Sequence, residues 1–565
     1  MVDERKASES EILMLSIIRT YPVRVWFSLS LIAAAICGFL GLLPAFSSEY
    51  VVQDDARSHV VWMLRFLDPE LFPNDIIADY FQSLAPSGYT ELYHLMAKIG
   101  LNPIIFNKFL PTLLGLITTT YCFGVCLQIL PIPAAGFFAT LLLNQNLWLK
   151  DDLVSATPRA FFYPVFMGFL YYLLRLNLLG VGVSIALLGL FYPQGVLICA
   201  AVLILHFIRF FPEKINYKFL LTTLVIAIAV LLPYALNSSQ FGSVITAAEA
   251  RMLPEFWPGG RASFFTDNPW DFWMTGDRSG FFPREWLSKL LIPPQIWAGL
   301  LLPLLLRYPS TFSLVKQLTS RIVILPELAL ASTGVFFAAH AFAFKLHHPS
   351  RYTQHSLRML MAIAGGIAIA IIIDAICQKI KLPFFALCIL PLALIYPSLT
   401  NSFPVTNYVI GQIPSLYDFL SKQPKDTLIA SLAIEANNLP AFAKRSILIG
   451  SEYALPYHKL YYAEMNHRAN DLIKAQYSAN LTEVQNFIQK YGIDFWLLDS
   501  QGLTLEYVNK NHRIRQLNPA AAAEVKESLE KGTIPALSKV TDRCTVLKAK
   551  DLILLKAKCI EKINS

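Results

Sequence analysis

The sequence predicts a polytopic α-helical membrane protein with about 11 transmembrane helices and a C-terminal α/β domain. Hydrophobic residues make up 55% of the 565-residue chain and charged residues only 15%, whereas soluble globular domains contain roughly 25% charged residues. Uncharged apolar runs of about 20 residues, the length that crosses a bilayer, recur as far as about residue 405. The first run lacks a small-residue cleavage site, so it is interpreted as a span and not as a removed signal peptide.

The uncharged stretch 176–208 decides the orientation of everything after it. As one straight helix it would be about 50 Å long at 1.5 Å per residue, whereas the hydrocarbon core is about 30 Å thick. It contains the motif FYPQG, in which Pro193 and Gly195 break helices. We therefore predict two short spans joined at this motif. The full set of predicted spans is 26–45, 109–130, 131–149, 160–176, 177–191, 194–210, 219–237, 290–306, 322–344, 359–377 and 383–402.

The distribution of Lys and Arg predicts a cytoplasmic N-terminus. With the break counted, the short basic loops fall inside the cell, as the positive-inside rule requires. The net charge of +8 is explained by these loops and gives no reason to expect a nucleic-acid partner. We expect a multi-pass protein of a bacterial inner membrane, with a transmembrane domain at 1–410. Its external face receives loops 46–108, 150–159, 238–289 and 345–358, and the extracytoplasmic domain 411–565.

The composition changes in the residues after 411. Short β-type runs alternate with helical patterns there, which predicts a small α/β domain. The segment CTVLKAKDLILLKAKC is typical of a hairpin with a cysteine at each end, and Cys544 and Cys559 can pair if this domain is outside the cytoplasm. No Gly-rich phosphate-binding motif is present in the sequence of this domain. The predicted elements are strands within 426–432, 445–450 and 494–499, a helix at 481–492 and a hairpin at 544–559.

The motif QDDARSH in the first external loop contains the first candidate catalytic residues. Asp54 and Asp55 would face different sides of an extended segment, so only one need face a reaction centre. A carboxylate beside an apolar wall has a raised proton affinity, which suits a general base for an acceptor hydroxyl, and it is also a ligand for a divalent cation. Arg57 and His59 are placed to tune or position it. The alternatives are a solvated loop and a helix N-cap.

The second external loop, LKDDLVSATPRAFFYP, repeats this feature. Asp151 and Asp152 are followed by Arg159 at the start of the next span. Two acidic pairs on the same face can share a metal ion or flank a substrate. The alternative is local capping of the helix that begins at Thr157 and Pro158.

The late external loop, FKLHHPSRYTQHSLRM, is basic. Arg binds phosphate with a bidentate fork, and a basic cluster at the headgroup level suits a lipid phosphate. We therefore assign substrate-binding roles to His348, Arg351 and Tyr352. A zinc site and plain interfacial anchoring are the alternatives, although the spacing of the histidines matches no familiar zinc motif.

This layout resembles the GT-C superfamily of integral-membrane glycosyltransferases. The shared features are a first span followed by a long external loop with an acidic pair, further acidic residues in the second external loop, and a C-terminal extracytoplasmic domain. The resemblance implies transfer of a sugar from a polyprenyl-phosphate carrier to an acceptor on the outer face. It matches Asp54 or Asp55 to a base or metal ligand, Asp151 and Asp152 to the second-loop acidic residues, and Arg351 to a residue that holds the carrier phosphate.

The sequence therefore favours a hexosyl or pentosyl transferase that uses a polyprenyl-phosphate sugar and a lipid or glycan acceptor. The tail contains no WWDYG-type acceptor motif, which favours a monosaccharide transferase over an oligosaccharyltransferase. Asp54 and Asp152 are the candidate ligands if Mg²⁺ or Mn²⁺ takes part. Two other functions stay open at this point. A transporter or flippase would use intramembrane charges such as Glu327 and Asp374, and a non-catalytic assembly protein would keep the fold without the chemistry.

Overall fold

The computed structural model describes residues 21–210, 217–236, 238–288, 294–379, 395 and 403–563. The described chain is mostly helical and ends in a region that contains a β-sheet. Within these ranges, 5 helices are long and apolar enough to cross a membrane. The total of 11 spans stays a prediction, and the span predicted at 383–402 lies outside the described residues except for Ile395. The five helices are Val23–Ala45, Pro103–Ile129, Tyr217–Leu236, Ser320–Ala341 and Ser350–Ile376.

The helical part begins at Val23 and runs to Lys379. Short 3-10 segments lie at Val61–Phe66, Pro158–Phe161, Pro254–Phe256, Pro294–Leu301, Ser313–Gln317 and Ser320–Val323, and one π turn lies at Asp271–Thr275. The α-helices are α1 (Val23–Ala45), α2 (Ala56–His59), α3 (Ile76–Leu84), α4 (Ser87–Lys98), α5 (Pro103–Ile129), α6 (Pro133–Leu147), α7 (Phe162–Leu174), α8 (Leu178–Phe191), α9 (Gln194–Phe210), α10 (Tyr217–Leu236), α11 (Ala247–Arg251), α12 (Arg284–Ser288), α13 (Leu302–Leu305), α14 (Ile324–Ala341) and α15 (Ser350–Lys379).

The predicted helix break at FYPQG is confirmed. Helix α8 ends at Phe191 and α9 begins at Gln194, because Pro193 has no N–H to continue the hydrogen-bond ladder of α8. The side chain of Asn177 caps α8 by accepting from the backbone N–H of Gly180 at 2.8 Å. Each of these two helices is shorter than a straight span, as the length argument requires.

The stretch predicted as a span at 290–306 has a different structure. Its described part is a 3-10 helix at Pro294–Leu301 followed by a single α-turn at Leu302–Leu305. Pro303 stands in the first turn of that segment, where a proline is tolerated. In the interior of one continuous helix it would lack the N–H donor, and its ring would clash with the preceding turn. Hydropathy identified an apolar segment here, but it could not reveal that the segment is not one regular helix.

Helix α15 is the most buried of the five long helices. It packs against α6 and α14, and Gly366 lies close to Ala139 of α6. A Cβ atom added at Gly366 would lie 2.3 Å from the backbone N of Ala139. Small residues allow membrane helices to approach this closely, so Gly366 fixes the distance between the two helices.

The C-terminal region carries a mixed five-stranded sheet. Its strands are β3 (Leu428–Ser431), β4 (Ser446–Ile447), β5 (Phe495–Asp499), β6 (Thr545–Ala549) and β7 (Leu552–Lys556). They lie in the order β4-β3-β5-β7-β6. Strand β3 pairs in parallel with β4 and β5, whereas β7 pairs antiparallel with β5 and β6.

The helices of this region are α16 (Pro414–Ser421), α17 (Leu439–Phe442), α18 (Lys459–Tyr477), α19 (Leu481–Tyr491), α20 (Leu505–Lys510), α21 (His512–Leu517), α22 (Pro519–Glu530), α23 (Ala536–Cys544) and α24 (Ala557–Glu561), with a 3-10 segment at Ile434–Asn438.

The elements predicted for this region are confirmed. All three predicted strands and the terminal hairpin are present, and α19 begins at an Asn480 cap and ends at Gly492, whose φ of 66° lies in the left-handed region that glycine tolerates. Cys544 and Cys559 form a disulfide that joins the two ends of the hairpin segment.

The C-terminal region is attached to the first loop. Strand β1 (Val51–Gln53) pairs antiparallel with β2 (Tyr408–Ile410). The ring of Tyr80 stacks on Tyr461 with centroids 3.6 Å apart, and Lys425 lies 2.8 Å from Asp68. Several contacts of different kinds therefore hold the start of the first loop in place.

We expect Gly366→Ala to lower the free energy of unfolding by about 1–3 kcal/mol, because the added methyl group overpacks the contact with α6. The matched control is Gly334→Ala in α14, where an added Cβ meets no atom within 4 Å; it should be neutral or gain about 0.5–1 kcal/mol from helix propensity. Thermal unfolding of the detergent-solubilised chain measures both. Equal melting temperatures for the two variants would contradict the assigned role of Gly366.

Candidate functional site

Strand β1 leads directly into the acidic pair of the first loop. The pairing of Gln53 with Tyr408 continues into a hydrogen bond from the Asp54 N–H to the Asn407 carbonyl at 3.1 Å. The side-chain oxygen of Gln53 accepts from the N–H groups of Asp55 and Ala56 at 2.8 and 3.3 Å. The carboxylate of Asp55, which stands at the N-cap position, makes no capping bond. Gln53 therefore caps α2, and the acidic pair is left for other contacts.

The two carboxylates face different partners, as the sequence predicts for adjacent residues. Asp54 forms an ion pair with Arg57. Arg57 also donates to Asn438 at 2.9 Å and lies 3.6 Å from Glu452, so this pair belongs to the contact with the C-terminal region. Asp55 forms an ion pair with Arg159 in the second loop.

Arg159 brings the first and second loops together. Besides its contact with Asp55, its Nη2 lies 3.4 Å from Asp151 Oδ1 and its Nε lies 3.2 Å from Asp152 Oδ1. Arg351 Nη1 donates to Asp152 at 3.2 Å, which adds the late loop to the same network. We call Asp55, Asp151, Asp152, Arg159 and Arg351 the acidic-arginine cluster. The structure thus unites five of the ten predicted site residues.

Aromatic residues and a histidine enclose the Asp152 end of the cluster. Asp152 is only 3% exposed in its side chain, and Tyr163 donates to it at 3.4 Å. The ring of His355 stacks on Tyr163 with centroids 5.4 Å apart, and Arg351 Nη1 donates to His355 Nε2 at 3.3 Å. Asp152 is therefore shielded from water, whereas Arg351 stays accessible to water, with 21% of its side chain exposed.

A buried polar clamp holds the second loop in place. Asn107 in α5 donates to the Ser155 carbonyl at 2.9 Å and to the Tyr93 hydroxyl at 3.1 Å. Tyr93 donates in turn to the Ala156 carbonyl at 3.4 Å. These contacts fix the backbone between Asp152 and Arg159. Sequence reasoning missed the clamp, because a lone Asn and a lone Tyr in apolar surroundings carry no motif.

Positive charges in the cluster lower the pKa values of Asp55 and Asp152. Burial alone would raise the pKa of Asp55, but Arg159, with His59 and Arg351, holds that pKa below its ordinary value. Asp152 follows the same pattern, with Lys150 and Arg159 holding its pKa well below the ordinary value despite burial. Burial raises the pKa of Asp54, and the neighbouring Arg57 only partly offsets this.

The other predicted residues lie beside the cluster. His59 packs its ring on Phe81 with centroids 5.8 Å apart, and burial lowers its pKa although Asp55 opposes the shift. His348 is buried with its ring 5.3 Å from that of Tyr457. Tyr352 is also buried, and its hydroxyl donates to the Leu346 carbonyl. The structure thus places His348 and Tyr352 in the packing of the late loop.

The candidate metal ligands are not adjacent. Asp54 pairs with Arg57, while Asp152 contacts Arg159 and Arg351. Within the described ranges, no group of three or more His, Cys, Asp or Glu side chains could hold a metal ion. The carboxylates that do come near one another, Asp55, Asp151 and Asp152, each contact Arg159. These residues do not fit a divalent cation as they stand.

An apolar groove of about 700 Å³ lies between α4, α5, α7 and α8. Leu110, Leu114, Val183 and Leu187 are among its lining residues, and no residue of the acidic-arginine cluster lines it. Phe161, two residues after Arg159, also lines the groove. A long apolar chain therefore has space beside the cluster.

Comparisons with known proteins identify solved structures with a similar fold. No family model matches the sequence, and no curated protein matches it at a significant level. Three similar solved structures are of the oligosaccharyltransferase of Archaeoglobus fulgidus. The apo form has a TM-score of 0.55 at 14% identity, with 90% of this chain and 73% of that chain covered. The chain therefore shares the fold of this archaeal enzyme.

Two further structures of the archaeal enzyme contain ligands. The complex of AglB with an inhibitory peptide and a dolichol-phosphate has a TM-score of 0.55 at 12% identity, with 89% of this chain and 72% of that chain covered. The form tethered by a disulfide to an acceptor peptide with the NVT sequon has a TM-score of 0.53 at 12% identity, with coverage of 91% and 72%. The GT-C resemblance predicted from the sequence is confirmed at the level of fold.

Two neutral histidines in the late loop predict a pH dependence of stability. Burial lowers the pKa of His347 to about 3 and the pKa of His348 well below its ordinary value. Below about pH 6.5 the unfolded chain therefore binds more protons than the folded chain, and each of these two histidines lowers the free energy of unfolding by up to about 1.4 kcal/mol per pH unit. Stability is retained above this pH and lost as the pH falls towards 5.

We expect His348→Leu to flatten the fall in melting temperature between pH 7 and pH 5. His512, which is exposed at the start of α21, provides the control variant His512→Leu, whose profile should follow that of the unaltered chain. Melting temperatures in detergent across this pH range measure the effect. A profile for His348→Leu as steep as that of the unaltered chain would exclude His348 as a source of the pH dependence.

Proposed function

We propose that the protein is a membrane glycosyltransferase that moves a sugar from a polyprenyl-phosphate carrier to a lipid or glycan acceptor at the extracytoplasmic face. The observation that carries the proposal is the acidic-arginine cluster, in which carboxylates of the first two external loops meet Arg351 of the late loop on a GT-C fold. A similar archaeal structure contains dolichol-phosphate, which supports a lipid-phosphate donor. The absence of a WWDYG-type motif from the tail sequence favours a monosaccharide donor.

The proposed site assigns the proton transfer to Asp55. Asp55 is one third exposed, so an acceptor hydroxyl can reach it. Its pKa is lowered and not raised as the sequence suggested, so the proposal rests on its access and its position and not on a raised proton affinity. The acceptor oxygen attacks the anomeric carbon as its proton passes to the Asp55 carboxylate. The bond between the anomeric carbon and the phosphate oxygen breaks, and its electron pair stays on the carrier phosphate. Attack opposite the leaving group inverts the anomeric centre.

Arg351 is the proposed partner of the carrier phosphate. Among the described contacts only its Nη1 is engaged, with Asp152 and His355, so the remaining guanidinium donors can bind phosphate oxygens. As the phosphate leaves, its negative charge grows, and a cation held in place beforehand stabilises that charge. The apolar groove beside the cluster has room for part of the prenyl chain.

The proposed orientation keeps the N-terminus in the cytoplasm. The membrane domain 1–410 would then present loops 46–108, 150–159, 238–289 and 345–358 on the outer face, together with the domain 411–565. The disulfide between Cys544 and Cys559 supports this side, because disulfides persist in oxidising compartments.

The intramembrane charges do not support the transporter alternative. Glu327 lies 2.8 Å from His206, and Asp374 accepts from Ser313 and Gln378 at 2.9 and 2.7 Å. Each acidic group thus has a local partner, and neither belongs to the acidic-arginine cluster. Titratable groups concentrate instead at the external loops, which favours an enzyme.

We expect Asp55→Asn to reduce sugar transfer by about 10²–10⁴-fold, because the amide cannot accept the acceptor proton. Asp54→Asn is the matched control, since it changes the adjacent carboxylate that faces Arg57. Membranes containing each variant are supplied with radiolabelled polyprenyl-phosphate monosaccharides, and transfer of label to product is followed by chromatography. Wild-type transfer by both variants would refute the mechanism, and a loss confined to Asp54→Asn would move the base to Asp54.

We expect Arg351→Ala to raise the KM for the lipid-phosphate donor by about 10–150-fold, which corresponds to one lost charge-assisted hydrogen bond of roughly 1.5–3 kcal/mol. Arg284→Ala is the control, because Arg284 is exposed in loop 238–289 and pairs only with Asp277 at 3.3 Å among the described contacts. Initial rates over a range of donor concentrations give both constants. A donor KM that is equal in the two variants would remove Arg351 from the phosphate site.

A further inference from the structure

Arg159 lies where carboxylates of two loops converge. Its Nη2 contacts Asp55 and lies 3.4 Å from Asp151, and its Nε lies 3.2 Å from Asp152. One guanidinium therefore stands within ion-pair distance of three carboxylates. Sequence reasoning assigned it only a general substrate-binding role, because its position among these groups depends on the folding of both loops.

The guanidinium occupies the space that a divalent cation would need. Mg²⁺ and Ca²⁺ require oxygen ligands at about 2.0–2.6 Å from a common point. Here a planar group stands between Asp151 and Asp152, and its nitrogens are already more than 3 Å from their oxygens. An Arg side chain stays protonated at every pH that a folded protein experiences, so the positive charge at this point is permanent.

The chain holds this guanidinium in place. Arg159 follows Pro158 at the start of a 3-10 turn, and a proline fixes its own φ. The clamp formed by Asn107 secures the preceding backbone at Ser155. Phe161 stacks on Phe191 with centroids 4.5 Å apart and secures the following backbone. With only 14% of its side chain exposed, Arg159 is part of the interior of the site.

We propose that Arg159 is a built-in cation, which takes the place at Asp55, Asp151 and Asp152 that a divalent metal ion would otherwise take. It acts as a positioning residue that holds the Asp55 carboxylate towards the acceptor side and neutralises its neighbours. The site then needs no added metal ion to keep three carboxylates together. This inference rests on the proposed function only in one respect, the role of Asp55 as the group that accepts the proton.

The test compares metal binding by the unaltered full-length chain, Arg159→Met and Arg159→Lys. Purified protein in detergent is titrated with Mn²⁺, and paramagnetic resonance counts the bound ion without any sugar donor. We expect no bound Mn²⁺ in the unaltered chain. Arg159→Met removes the guanidinium that holds the three carboxylates apart, so they can close around Mn²⁺ and should bind it, whereas Arg159→Lys keeps a positive charge there and should not. Adding Asp152→Asn to Arg159→Met should abolish the acquired binding.

Transfer assays give a second measurement. We expect activity of the unaltered chain to survive EDTA, and Arg159→Met to lose about 10–100-fold of its activity, the usual effect of removing a group that orients a reactive one. Added Mn²⁺ should restore part of the activity of Arg159→Met and leave the unaltered chain unchanged. A merely structural role for Arg159 would give a loss that Mn²⁺ does not restore.

The outcomes separate this inference from the proposed function. Mn²⁺ bound by the unaltered chain and lost in Asp152→Asn, or transfer abolished by EDTA, would overturn the inference even if sugar transfer is confirmed. A folded Arg159→Met protein that binds no Mn²⁺ would also overturn it. If that variant does not fold, the Mn²⁺ titration and the EDTA assay on the unaltered chain still test the inference. If the chain transfers no sugar, the proposed function fails while the Mn²⁺ titration still tests the built-in cation.

Discussion

Three carboxylates from two separate loops meet at one guanidinium, and this contact joins the two loops. Asp55, Asp151 and Asp152 would repel one another at such short range without Arg159. Asp152 is almost fully enclosed, and breaking a buried pair by removing one partner typically costs about 3–5 kcal/mol. The carboxylates of the two loops can therefore lie close together only because the positive charges of Arg159 and Arg351 stand between them.

The elements around this contact have complementary tasks. Gln53 satisfies the start of α2 and so releases Asp55 for Arg159, while Arg57 directs Asp54 towards the C-terminal region. The clamp of Tyr93, Asn107 and Ser155 fixes the second loop. The two carboxylates of one acidic motif therefore face different parts of the molecule. Asp55 faces the second loop, and Asp54 faces the sheet-bearing region.

Much of this arrangement follows from the sequence alone. The break at FYPQG and the alternating pattern of the tail depend on local chain stiffness and on short-range periodicity, which a single sequence displays. The meeting of QDDARSH with KDDLVSATPR was expected because both motifs lie on the same predicted face. Their exact partners were not, since ion pairs across loops depend on distances that are absent from linear spacing. The regularity of the described part of the predicted span, 294–306, was overestimated because hydropathy does not register prolines. The lowered pKa of His348 depends on burial that only the folded loop provides.

The pairing of β1 with β2 also bears on how the molecule is made. Gln53 precedes all but the first predicted span, whereas its partner Tyr408 follows the last one. The ribosome synthesises the chain from the N-terminus. Strand β1, which precedes the acidic pair, therefore has no β2 to pair with until nearly all of the predicted spans have been made. Closing so long a loop has an entropic cost and comes late in assembly. The candidate site is therefore completed only at the end of biogenesis, and a partly inserted chain has its carboxylates but not the geometry that aligns them.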